Sequence, residues 1–135
     1  MNVEVKEYNK EGYKPLVFYS NWRVAILNFN SGSTLKGISY IERHLLTDEV
    51  FVLMKGRVTL LIAGKSKKPE QKISAKRMIP FKIYNVKKGV WHAVFMSKSA
   101  KILIVENRDT ATQNSQYSDF TPSQKEQLKK IWMQM

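Results

Sequence analysis

The stretch Glu42-Arg-His-Leu-Leu-Thr-Asp-Glu-Val-Phe-Val-Leu-Met-Lys-Gly56 decides how this chain is read. Its second half, Val50 to Met54, is an unbroken run of apolar residues rich in β-formers, closed by a Lys55-Gly56 turn. Its first half carries Glu42, His44 and Glu49, three groups able to hold a metal or move a proton. Side chains alternate along a strand, so Glu42 and His44 share a face with Ile38 and Tyr40, while Arg43 points the other way. Glu49 begins the next strand, with Phe51 and Leu53 on its face, and a tight turn over Leu45–Asp48 brings it back toward His44. A strand that only has to be buried has no use for three such groups at its edge. A strand that opens into a pocket does.

Working outward, the chain reads as short strands separated by turns. Leu16–Tyr19, Trp22–Phe29 and Ile38–His44 precede the quoted stretch, and Arg57–Ala63 follows it. A basic loop is expected from Gly64 to about Lys76, then strands over Phe81–Val86, Trp91–Met96 and Lys101–Glu106. Strands at this spacing, with no long helix between them, predict an all-β antiparallel sandwich or barrel. Residues 107–119 are polar and read as irregular. Thr121-Pro-Ser-Gln124 then opens a helix, with Thr121 as N-cap, Pro122 at the first helical position and Gln124 completing a capping box. Leu128, Ile131, Trp132 and Met135 fall on one face of that helix, which must cover the barrel or a second subunit. The expected organisation is therefore a single barrel domain over 1–118 and a C-terminal helix over 119–135.

A chain of 135 residues suggests one domain, long enough to bury a core without a covalent staple. The absence of cysteine excludes disulfides, zinc ribbons and thiol nucleophiles. No stretch approaches the roughly 18–20 apolar residues of a membrane span, and the N-terminus lacks the apolar core of a secretory signal. A cytoplasmic protein with no membrane partner is the expectation. The net charge is +12, but the lysines are scattered, and their densest cluster, between Gly64 and Lys72, has the composition of a hydrophilic turn. No recognition helix and no aromatic–basic pattern accompanies them, so nucleic acid is not the expected partner. The charge gives a solvated surface and a field that draws in anionic small molecules.

The other histidine, His92, lies in Gly89-Val-Trp-His92 at the start of a strand that continues through Val94 and Met96. Glu42-x-His44, four residues, Glu49, six residues, Gly56, followed by Gly89-x-x-His92, resembles the two linked motifs of the cupin superfamily, G(X)5HXH(X)3,4E(X)6G and G(X)5PXG(X)2H(X)3N. The resemblance covers roughly residues 20–106. It departs from the pattern in several places. Glu42 stands for the first motif histidine, and Gly37 is one residue closer than the motif asks. Phe81 stands for the second motif's opening glycine, Lys87 for its proline and Met96 for its closing asparagine.

The resemblance implies a cupin double-stranded β-helix, a jelly-roll barrel with a short C-terminal α-helix, a pocket in its mouth and a homodimeric state. The implied pocket residues are Tyr40, Glu42, His44, Glu49, Phe51, His92 and Met96. The implied metal set is Glu42, His44, Glu49 and His92. Two imidazoles and two carboxylates suit a divalent transition metal, Fe, Mn, Ni or Zn. Two forms of a small-molecule-binding cupin stand open: a metal-dependent enzyme of lyase, isomerase or oxygenase type on a small polar or anionic substrate, and a metal-free, non-catalytic ligand-binding module. The segment from Arg43 to Arg57 is also distantly similar to ureidoglycolate lyases, a cupin-like family of small single-domain proteins.

Overall fold

A computed structural model describes residues 2–135. Ten strands are present: β1 Gly12–Tyr19, β2 Trp22–Asn28, β3 Tyr40–His44, β4 Glu49–Lys55, β5 Val58–Ile62, β6 Ser74–Arg77, β7 Ile83–Val86, β8 His92–Met96, β9 Lys101–Asn107 and β10 Ser115–Asp119. Helix α1 spans Pro122–Met133. The strands form two antiparallel five-stranded sheets, ordered β1-β2-β9-β4-β7 and β10-β3-β8-β5-β6. The sheets face each other as a jelly-roll barrel. Neighbours within each sheet come from distant parts of the chain, as β2 beside β9 shows.

Alternation sorts the side chains. Phe51 and Leu53 of β4, Val58 and Leu60 of β5, Met96 of β8, and Ile102 and Ile104 of β9 fill the barrel interior. The opposite parity of the second sheet supplies Ile41, Leu61 and Phe95 to a separate cluster, on which α1 sets Leu128, Ile131 and Trp132. The Phe95 and Trp132 rings meet edge-on at 5.0 Å. Leu128 is fully buried there, which contributes about 1.5–3 kcal/mol. The helix starts at a complete capping box between Thr121 and Gln124, worth about 1 kcal/mol.

Two stretches differ from the sequence expectation. The basic loop contains β6, which pairs with β5. Residues 107–119, read as irregular, contain β10, which pairs along β3 from Ser115↔His44 to Asp119↔Tyr40. Ser115-Gln-Tyr-Ser-Asp119 is too polar for hydrophobic periodicity to reveal, and its strand conformation is set by the partner edge.

Gly56 and Phe81 mark the backbone's special points. Gly56 has φ +78°, and a Cβ there would lie 2.5 Å from the Ala100 Cα, so only glycine fits the turn. Phe81 has φ +69° at the position where the cupin motif carries glycine, and it is 78% exposed. No described helix is long and apolar enough to cross a membrane.

Candidate functional site

The inward faces of β3, β4, β8 and β9 converge at one end of the barrel. Glu42 of β3 sits opposite His92 of β8 in the sheet register. His44 follows two residues on, and Glu49 opens β4 after the turn. That turn is pinned from both sides. The Asp48 carboxylate accepts from the Lys88 N–H at 2.8 Å and from the Asn85 amide at 3.0 Å. The Gly89 N–H donates to the His44 carbonyl at 2.7 Å, from a residue with φ +83°. The two motif segments are thereby held together by backbone contacts.

Glu49 is the centre of the site. Its Oε1 lies 2.9 Å from His92 Nε2 and 3.2 Å from His44 Nε2. Glu42 Oε1 lies 3.8 Å from His44 Nε2. The imidazole centroids are 5.3 Å apart. Each ring is fixed from behind: His92 Nδ1 meets the Val90 carbonyl at 2.9 Å and His44 Nδ1 meets Ser115 Oγ at 2.8 Å. A backbone carbonyl only accepts, so His92 carries its hydrogen on Nδ1. Among the described residues, two trios bring their ligand atoms within 4.8 Å of one another: Glu42, His44 and His92, and His44, Glu49 and Glu106.

Glu106 was not expected from the motifs. Its Oε2 accepts from Tyr13 Oη at 2.5 Å and from Arg23 Nε and Nη2 at 3.1 and 2.9 Å. Arg23 also donates to the Arg108 and Thr110 carbonyls. One signal was present in the sequence: Glu106 is in phase with Ile102 and Ile104, the buried face of β9. Tyr13, Arg23 and Ser115 carried no comparable signal, because they reach the site only through the order of the strands.

The electrostatics follow from burial and pairing. Burial opposes ionisation of Glu49, but hydrogen bonds from His44 and His92, with their charges, hold its carboxyl well below the usual range. Burial also opposes protonation of both histidines; the Glu49 hydrogen bond and charge outweigh it and raise both. Glu42 is pushed up by burial. Glu106 is pushed up by burial and by the charge of Glu49. Burial, aided by the bond to Glu106, raises Tyr13 far above its ordinary value.

These groups line a cavity of about 490 Å³ floored by Leu27, Phe51, Val94 and Ile104. Tyr40 and Tyr117 stand at its wall, edge to face at 5.2 Å. Six of the seven expected pocket residues, Tyr40, Glu42, His44, Glu49, Phe51 and His92, line this cavity. Met96 does not. It shares the inward parity of His92 but lies further along β8, fully buried in the interior cluster and bordering a second cavity beside Trp132 and Met135. Arg43 faces outward, with its guanidinium 4.8 Å above the Trp91 ring.

The donor types fit a divalent transition metal: Glu42, His44 and His92 bring their ligand atoms together, as do His44, Glu49 and Glu106, and each imidazole has the Nδ1 partner that orients a ligand.

No protein-family model matches the sequence, and no curated protein matches it significantly. Solved structures do. A cupin-2 domain protein from Shewanella frigidimarina is 22% identical over 75% of this chain and 85% of its own, with a TM-score of 0.52. Streptomyces Pac13, solved with uridine, is 12% identical over 87% of each chain, with a TM-score of 0.58. It is described as a nucleoside dehydratase with a β-barrel. KdgF from a Halomonas species is 10% identical over 70% of this chain and 77% of its own, with a TM-score of 0.52. The fold of this chain is the cupin barrel.

Proposed function

We propose that the protein is a small-molecule-binding cupin whose pocket takes one divalent transition metal on His44, His92 and Glu49, with Glu42 as a fourth group, and acts on a small polar or anionic substrate. The observation that carries this reading is the convergence of both Nε2 atoms on one carboxylate oxygen while each Nδ1 is tied outward. A neutral His92, with its hydrogen on Nδ1, would present a lone pair to an anionic oxygen 2.9 Å away, an arrangement that a bound cation stabilises.

When bound, such an ion supplies a Lewis acid or an oxygen-activating centre. The chain's own groups do the rest. Tyr13 and Arg23 fix the orientation of Glu106, and Glu106 is the group suited to hold a proton beside a ligand. Leu27, Phe51 and Ile104 exclude water from below. A nucleoside dehydratase on the same fold supports chemistry on a small polar molecule in such a barrel; the fold itself does not choose the reaction.

One observation favours the metal-free module instead. The contacts of 2.9 and 3.2 Å are ordinary hydrogen-bond lengths, and two protonated imidazoles satisfy Glu49 without any ion. Elemental analysis separates the readings, using untagged protein never exposed to chelator, alongside His44→Ala. Near-stoichiometric Fe, Mn, Ni or Zn that disappears in the variant is the expected result. No metal after growth and dialysis with each ion in turn overturns it and leaves the ligand-binding module.

A further inference from the structure

A second cavity, of about 590 Å³, opens at the other end of β8 from His92. It shares no lining residue with the cavity around Glu49. Four residues at ~3.3 Å along the strand put Met96 about 13 Å from His92, and Met96 borders this second space. The cavity lies where the two apolar clusters meet. Phe29 and Met96 belong to the interior cluster, and Trp132 to the cluster beneath α1. Two aromatic rings and a thioether therefore supply an apolar floor. A volume of this order suits a small organic molecule.

The rim has the opposite character. Two turns meet there, one between β4 and β5 and one between β8 and β9. Gly56 lets them interlock, because its missing Cβ leaves room for Ala100. The Ser97 N–H donates to the Arg57 carbonyl, and the Arg57 N–H donates to Ser97 Oγ, both at 2.9 Å. These bonds hold Arg57 beside the Ser97-Lys98 segment, and both cations line the cavity. No Asp or Glu lines it. Among the described residues neither cation is in an ion pair. Ser97 Oγ accepts from Arg57 and keeps its own hydrogen to donate. Two like charges on one rim repel each other, and an anion between them relieves that repulsion.

We propose that this cavity binds a small amphipathic carboxylate, its head group on Arg57, Lys98 and the Ser97 hydroxyl and its apolar body against Phe29, Met96 and Trp132. Cations alone are an ordinary solvated surface, and an apolar floor alone would take a neutral molecule. The two together select a ligand with one charged end and one apolar end. Orientation follows from the helix. Trp132 stands in the last turn of α1, whose carbonyl end carries partial negative charge. The head group therefore turns toward the two turns and the apolar body toward the helix. Arg57 offers a carboxylate two parallel N–H donors, and Lys98 offers a point charge. The net charge of +12 draws anions of every kind to the surface; the floor distinguishes those with an apolar body. The site is independent of the metal.

Isothermal titration of the full chain with sodium decanoate tests it, with 1-decanol as the uncharged control and acetate as the control without an apolar body. The expected result is one decanoate per chain, decanol at least ~10-fold weaker, and acetate too weak to measure. Arg57→Gln with Lys98→Gln should weaken decanoate ~10-fold and leave decanol unchanged. Both residues are exposed, so the double variant keeps the fold. Lys67→Gln with Lys68→Gln removes the same charge from the basic loop and should leave decanoate binding as it was. No binding at millimolar decanoate overturns the proposal. So does decanol binding as tightly as decanoate, and so does a rim variant that binds decanoate no more weakly than the loop variant.

Discussion

Strands β4, β8 and β9 each run from a charged end to an apolar one. Glu49 gives way to Phe51 and Leu53, His92 to Val94 and Met96, Glu106 to Ile104 and Ile102. At the apolar end, burial is favourable for every side chain. At the charged end, Glu49, His92 and Glu106 have lost water, and the attractions around them do little more than offset that loss. The same strands thus hold the barrel together at one end and hold titratable groups against one another at the other. Stability and chemistry are separated along the strand, not between domains.

That division breaks if the two ends prove energetically coupled. Leu53→Ala empties a fully buried interior position and should cost about 2–5 kcal/mol in urea unfolding, with metal per folded molecule unchanged. Metal loss in that variant would mean the core also positions the ligands. Ser115→Ala removes the partner behind His44 Nδ1. It should weaken metal binding by ~10–100-fold in competition titrations and leave the melting temperature of the metal-free protein nearly unchanged.

The pH dependence sharpens the contrast because metal-free and loaded forms run in opposite directions. His44 and His92 titrate above their ordinary 6.5 in the fold. Their contribution to stability is full below pH 6.5 and is lost as pH climbs through the raised values. Glu49 is held below its ordinary 4.5, so its contribution is present above pH 4.5 and is lost as pH falls through the lowered value. Glu42 and Glu106, both raised, add to the loss at higher pH. The metal-free protein should therefore melt highest between about pH 4.5 and 6.5. Metal must displace the histidine protons, so the rise in melting temperature on adding metal should grow with pH. The smallest expected effect is far from either end. Phe81→Gly relieves a left-handed backbone on an exposed residue and should stabilise by about 0.5–1 kcal/mol in thermal melts.

Much of this was legible in the sequence, for a local reason. Strand parity alone puts Glu42 and His44 on one face, and the turn length sets Glu49 beside them. Parity was also right for Met96, which points inward as His92 does. It failed on distance: four residues at ~3.3 Å place Met96 about 13 Å further down the barrel. Glu106 was readable from its phase with Ile102 and Ile104. Tyr13 and Arg23 were not, since their approach depends on β1 and β2 lying against β9, an ordering that periodicity does not encode. β10 was missed because Ser115-Gln-Tyr-Ser-Asp119 buries too little apolar surface to announce a strand.

The hydrogen bonds of the site join residues far apart in the chain. His92 and Glu49 are 43 residues apart, His44 and Ser115 are 71, and Tyr13 and Glu106 are 93. During synthesis, a fragment that stops short of His92 cannot gather both imidazoles on Glu49, and the Ser115 partner of His44 arrives later still. Under the proposed metal reading, loading therefore belongs to the finished barrel and not to the growing chain.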